Sequence, residues 1–220
     1  MMNLIPQSFR SKMGMYDIEI EGANVKVSIV DNPAFVGTKM DELRSSLQTS
    51  QRQVVGIDVK FVKTGGNLKY KGKFLVLCVG SHCMMIQLPD SGYISDTLGQ
   101  FLSDETICFL GTGMSKIVSE LGSLNYVPPV TGSNMVSFGK SVNFKTGVEV
   151  GFLSAKILKK PNVENLGLAE LAGEVGMDIK EPTSECPDWN AKVFSNEEVK
   201  YAVHNAYTSY VIGNKLFDML

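Results

Sequence analysis

The stretch QVVGIDVKFV, residues 53–62, limits the fold more than any other part of the chain. Read as a strand, it sends successive side chains to opposite faces. Val55, Ile57, Val59 and Phe61 then share one apolar face. Val54, Gly56, Asp58, Lys60 and Val62 share the other. A strand this apolar belongs in a sheet covered by other elements. The acid and the base side by side near its end need a separate explanation.

The flanking patterns supply the covering elements. YDIEIEG and NVKVSIV alternate in polarity, so residues 16–30 read as a hairpin turning at Gly-Ala-Asn. Residues 36–48 have helical apolar spacing through Val36, Met40, Leu43 and Leu47. FLVLCVG and CMMIQLP form a second hairpin turning at Gly80-Ser81. ISDTLGQFLSD reads as a helix, TICFLG as a short buried strand and TGMSKIVSELG as another helix. Residues 125–146, rich in Pro, Gly, Ser and Asn, read as a long loop. VGFLSAKILKK and LGLAELAGEVG are helical, the second ended by Gly173 or Gly176. Ser195 and Glu198 form a capping box opening a last helix, with an apolar stripe at Val199, Val203, Ala206 and Tyr210. This order predicts an α/β fold, a mixed sheet with helices packed on it. Residues 1–14 are expected to be a flexible N-terminus, and residues 15–220 one domain.

Composition excludes several functions. A net charge of −2 gives no global basic field, so wrapping of duplex DNA is not expected. No stretch has the ~20 apolar residues of a membrane span, and the first residues lack a signal peptide's apolar run. Cys78, Cys83, Cys108 and Cys186 show no C-x-x-C spacing, and with His82 and His204 as the two histidines a zinc site has poor support. Reduced thiols of a cytoplasmic or nuclear protein are the expectation, although Cys78 and Cys83 could face each other across a hairpin. GTG at residues 111–113 lacks the third glycine of a dinucleotide fingerprint.

Taken together, VVGIDVKFV, LCVGSHCMMIQLP, FLSDETICFLGTGMSKIVSEL, LAELAGEVG and YAVHNAYTSYVIGNKL resemble the plant Werner-like 3′–5′ exonucleases, from about residue 15 onward. These are DnaQ-like, ribonuclease-H-fold enzymes of the DEDDy class. The basic loop and the short format are most similar to the RISC-interacting clearing exoribonucleases. The resemblance implies a mixed five- to six-stranded sheet flanked by helices. It also implies Mg²⁺ or Mn²⁺, two ions roughly 4 Å apart that activate a water and stabilise the leaving oxygen. It further implies single-stranded RNA as substrate, a ring-shaped homo-oligomer such as a hexamer, and a partner in RNA silencing.

The same resemblance assigns the site residues. The Asp-x-Glu motif falls on Asp58-Val59-Lys60, with the Glu replaced by a cation. The Asp that follows Gly-x-Gly falls on Ile117. The Tyr-x-x-x-Asp motif falls on Tyr201 and Asn205, with the Asp replaced by an amide. One of four carboxylates survives, so Asp58 would hold a metal weakly or not at all. Two unit charges at 4 Å interact by about 4 kcal/mol at an effective dielectric near 20, and Lys60 beside a divalent ion could oppose it by roughly twice that.

Each residue also has a plainer reading. Asp58 and Lys60 could be a solvated ion pair at a strand end. Ile117 falls on the apolar stripe Met114, Ile117, Val118, Leu121 and reads as core. Tyr201 and Asn205 sit one helical turn apart, as cleft wall or polar flank. His204 could replace a lost acid–base group. Lys63, Lys69, Lys71 and Lys73, with Tyr70 among them, form a loop suited to phosphate contact and base stacking, or to solubility alone. Two functions stand open. One is a 3′–5′ exoribonuclease with an altered site, to which a neighbouring subunit would lend a carboxylate such as Glu149, Glu120 or Asp218. The other is an inactive pseudo-exonuclease that binds RNA or a protein partner.

Overall fold

The computed structural model describes residues 13–64, 69–128 and 139–220, with Lys69 described by its backbone alone. Strands β1 (Met15–Ile20) and β2 (Ala23–Val30) form the first hairpin. Its turn is at Glu21 and Gly22, both with positive φ, rather than at Gly-Ala-Asn. Two successive left-handed residues twist a two-residue loop to match its strands, so Ala23 is free to begin β2.

Helix α1 (Pro33–Thr49) follows. The Asn32 side chain accepts the Ala34 N–H, and Pro33, whose missing N–H would be unpaired there anyway, starts the first turn. Val36, Met40, Leu43 and Leu47 are its buried stripe, as their spacing predicts. Then come β3 (Val54–Thr64), β4 (Lys69–Val79) and β5 (His82–Gln87), α2 (Asp96–Leu102), β6 (Cys108–Gly111) and α3 (Met114–Gly122).

The segment predicted as a long loop is partly ordered into structure. β7 (Asn125–Tyr126) pairs with β8 (Lys140–Ser141), and Val142 and Phe144 are buried. The Phe144 and Phe109 ring centroids are 5.0 Å apart. Residues 129–138 of that stretch lie outside the described residues. β9 (Gly147–Glu149), α4 (Val150–Leu158), α5 (Leu168–Glu174) and α6 (Asn196–Phe217) complete the chain. Gly176, at positive φ, ends the turn after α5, where the Met177 N–H returns to the Ala172 carbonyl.

The main sheet has seven strands in the order β1-β2-β5-β4-β3-β6-β9. This is one strand beyond the sequence expectation, β9 being the addition. β3 is an interior strand, antiparallel to β4 and parallel to β6. One face packs under α1, α2 and α3 through Val55, Ile57 and Val59. The other packs under α6 through Val76, Cys78, Val203 and Ala206. A third cluster joins α4 and α5 to the end of α6 through Val150, Leu171, Ile212 and Leu216. No helix among the described residues is long and apolar enough to cross a membrane.

Helix α6 is buried over more of its girth than the predicted stripe. Ala202, His204, Tyr207, Thr208 and Ser209 are buried with Val199, Val203 and Ala206. The reason is its position between the sheet and the third cluster. The capping box opens it, with the Glu198 N–H donating to Ser195 Oγ and the Ser195 N–H donating to Glu198 Oε2 at 2.7 Å. The helix lies so close to β3 that a Cβ on Gly56 would meet the Ala206 carbonyl oxygen at 1.9 Å. Gly56→Ala must therefore push helix and sheet apart. The expected loss is roughly 3 kcal/mol or more, read as a lowered urea midpoint; a midpoint equal to the parent's would refute the close packing.

Candidate functional site

β3 presents Asp58 and Lys60 toward α6, opposite Val76 and Phe74 of β4. The register shifts immediately after Lys60, so the strand is irregular just beyond the pair. Both residues are 7% exposed, which removes the reading of a solvated ion pair. Lys60 Nζ lies 2.6 Å from Asp58 Oδ2. The other oxygen, Oδ1, accepts the Val59 N–H at 2.8 Å. Oδ2 has no hydrogen bond of good geometry, so the Lys60 contact is chiefly charge against charge.

An aromatic wall closes over the ammonium. Lys60 Nζ is 5.7 Å from the Trp189 ring centroid and 5.5 Å from that of Tyr201. Both rings offer their π electrons to a cation. Trp189 is buried, with its centroid 6.2 Å from Tyr201 and 6.1 Å from Phe194. Burial raises the Tyr201 pKa, and the Cys186 thiol and the carboxylates of Asp58 and Glu181 raise it further, so the phenol is neutral at pH 7.

His204 is buried one turn from Lys200 and Tyr201 on α6. Its Nε2 lies 3.3 Å from Glu181 Oε2, off hydrogen-bond geometry. Burial is the largest influence and lowers its pKa, Glu181 opposes this, and the Lys60 charge lowers it further. Burial thus favours the neutral imidazole.

The remaining motif positions lie elsewhere. Ile117 is buried among Val59, Leu121 and Phe109, on the other face of the sheet from Asp58 and Lys60. Asn205 is half-buried in an open cleft of about 420 Å³ with Thr112, Glu149, Glu164 and Glu181. The carboxylates expected as loans between subunits are engaged within the chain. Glu149 accepts the Gly113 and Met114 N–H groups at 3.0 and 2.9 Å, capping α3. Glu120 accepts the Gly72 N–H at 2.8 Å, and Asp218 pairs with Arg52 at 2.7 Å.

The basic stretch is a strand rather than a loop from Lys69 onward, its residues 65–68 and the Lys69 side chain lying outside the described residues. Lys71 Nζ pairs with Asp90 Oδ1 at 3.0 Å, and Lys71 and Lys73 together lower the Asp90 pKa. Lys63 is exposed opposite Tyr70, itself 50% exposed. Lys116 of α3, which sequence reasoning missed, lies 3.7 Å from the Phe61 ring centroid and 4.8 Å from that of Tyr70. Trp189, the one tryptophan, and Glu181 were also missed. An isolated tryptophan in a polar segment was the available signal.

These residues do not fit a pair of divalent ions. Lys60 Nζ lies against one Asp58 oxygen, Ile117 has no donor, and Asn205 offers a neutral oxygen in a cleft whose lining does not include Asp58. Among the described residues no three His, Cys, Asp or Glu side chains gather as a metal-binding group.

No family model matches the chain. A protein of Acanthamoeba polyphaga mimivirus bearing the name of a 3′–5′ exonuclease is 21% identical over 184 residues. The match covers 79% of this chain but 42% of that protein, so the chain spans less than half the length of the curated relative. Escherichia coli RNase D, an exoribonuclease involved in structured RNA processing, superposes with a TM-score of 0.61 at 16% identity, over 88% of this chain and 44% of RNase D. Brucella melitensis NrnC with bound Mg²⁺ superposes with a TM-score of 0.57 at 16% identity, over 88% of this chain and 80% of NrnC. These structures establish the fold as ribonuclease-H-like, a mixed sheet flanked by helices.

Two outcomes follow from the buried cluster. Lys60→Met leaves Asp58 buried without its partner and is expected to destabilise by about 3–5 kcal/mol, while Asp58→Asn with Lys60→Met recovers part of the loss. Additive losses in urea unfolding would show that the two charges do not depend on each other. For His204 the unfolded chain binds a proton more readily than the folded one. Stability should therefore fall as pH drops below about 6.5, by at most ~1.4 kcal/mol per pH unit, and His204→Gln should flatten that slope. An unchanged slope would remove His204 as its source.

Proposed function

We propose that the chain is a DnaQ-like 3′–5′ exonuclease-family protein, residues 15–220 forming its exonuclease-like domain, whose own site is catalytically silent and which binds single-stranded RNA ends without cutting them. The observation that carries this reading is the 2.6 Å contact between Lys60 Nζ and Asp58 Oδ2. The ammonium occupies the side of Asp58 where a divalent ion would need a free carboxylate oxygen. It neutralises that oxygen while supplying no ligand, and two divalent ions cannot be held together without anionic ligands between them.

RNA contact belongs to the basic stretch of β3 and β4, with Lys116 of α3 beside Phe61 and Tyr70. Lys63, Lys69, Lys71, Lys73 and Lys116 offer phosphate contacts and Tyr70 a ring for stacking. Asp90 offsets part of the Lys71 charge, so Lys71 contributes least of the set. The motif resemblance supports placement near the Werner-like and RISC-interacting clearing exoribonucleases. With that placement go a ring-shaped homo-oligomer, a partner in RNA silencing and residence in the cytoplasm or nucleus.

The test incubates the protein with end-labelled single-stranded RNA and Mg²⁺ or Mn²⁺, beside Asp58→Asn and a Lys69→Ala, Lys71→Ala, Lys73→Ala variant. The expected result is no shortening of RNA by the parent, together with binding that weakens as salt rises. The triple variant should bind more weakly, with a salt slope lower by roughly 0.7 per phosphate contact removed. Metal-dependent 3′-to-5′ shortening that Asp58→Asn abolishes would show an active enzyme with an altered site. Parent RNA binding absent at low salt would leave the protein-partner function in its place.

A further inference from the structure

The geometry points to a redox-modified site at Cys78 and Cys83, which we infer form a reversible intramolecular disulfide with a small-molecule disulfide as oxidant. The hairpin β4–β5 turns on Gly80 and Ser81, with Gly80 at φ 58. A two-residue turn with positive φ at its first position makes the flanking residues, Val79 and His82, the hydrogen-bonded pair. The next pair inward, Cys78 and Cys83, is then non-hydrogen-bonded, the position where cross-strand Cα atoms approach to about 4.5 Å. That separation falls within the 4.4–6.8 Å range a disulfide spans.

The side chains meet this requirement. The two Sγ atoms are 2.7 Å apart, so a bond of ~2.05 Å needs a movement of less than about 1 Å. Both thiols are free and buried on the α6 face of the sheet. Cys108, on β6, and Cys186, before α6, have no cysteine opposite them.

The order of attack follows from access. Cys83 keeps 3% of its surface exposed, whereas Cys78 keeps none. Cys78 is fully buried, and burial with the neighbouring Cys83 sulfur holds its thiol protonated. The Cys83 thiolate attacks one sulfur of the oxidant, forming a mixed disulfide and expelling one thiolate. Cys78, deprotonated as it reacts, attacks Cys83 Sγ and expels the second thiolate. The protein loses two electrons and two protons, and the oxidant becomes two thiols.

The experiment exposes the full chain to oxidised glutathione across a range of glutathione ratios, both as the native protein and during refolding. Remaining thiols are then alkylated in denaturant and the peptides mapped. The expected result is a protein lighter by two hydrogens, with a Cys78–Cys83 linked peptide and with Cys108 and Cys186 still unpaired with each other. Its thermal midpoint should rise by roughly 4–8 °C and return on reduction. Cys83→Ser should show neither the linked peptide nor the rise. The refolding arm removes any barrier of access. Cys78 and Cys83 still alkylated after refolding in oxidant, or Cys78 joined to Cys108 or Cys186, would overturn the assignment.

Discussion

The depth at which α6 lies on β3 sets the character of everything around it. Gly56 lets the Ala206 backbone rest directly on the strand. Further along the strand, Asp58 and Lys60 are left with little contact with water. Burial then obliges the two charges to satisfy each other, because neither could be sealed in alone. Trp189 and Tyr201 complete the enclosure with ring faces that tolerate the ammonium. One backbone contact thus converts an acid and a base on a strand into a fixed ion pair.

That pair has a definite chemical meaning within a ribonuclease-H-like fold. A divalent ion and an ammonium are alternative counterions for one carboxylate. The ion brings empty coordination positions that can polarise water, whereas the ammonium brings donors alone. Glu149 illustrates the same substitution of protein groups for ligands. Its two oxygens lie against the N–H groups that open α3, where the helix dipole favours an anion. Glu149 of the cleft is therefore committed to holding the fold.

Much of this was legible in the sequence because it depends on short-range periodicity. The stripe of α1, the alternation of β3, the Gly80-Ser81 turn and the Ser195–Glu198 box are all local signals, and the structure contains each of them. β9 was not legible, since Gly147–Glu149 is too short to show a period. Lys69, Lys71 and Lys73 alternate with Tyr70, Gly72 and Phe74, a strand pattern hidden by the adjacent glycines. At the site, the proximity of Asp58 and Lys60 followed from spacing on one strand. The Trp189 lid, the Glu181–His204 contact and the internal use of Glu149 join residues far apart in the chain, and no local pattern encodes such meetings.

The hairpin of β1 and β2 enters the sheet by pairing in parallel with β5, a strand more than fifty residues later in the chain. Its Tyr16 hydroxyl donates to the Phe194 carbonyl, across 178 positions. Contacts of such separation delay folding, because loop closure must precede any gain from pairing. On a ribosome the hairpin therefore waits, its apolar face exposed, until the segment before α6 has emerged. Ile18, Ile20, Val25 and Val27 are the surface it would present meanwhile, and a chaperone that recognises alternating aliphatic strands would find its site there during synthesis, before the last helix covers it.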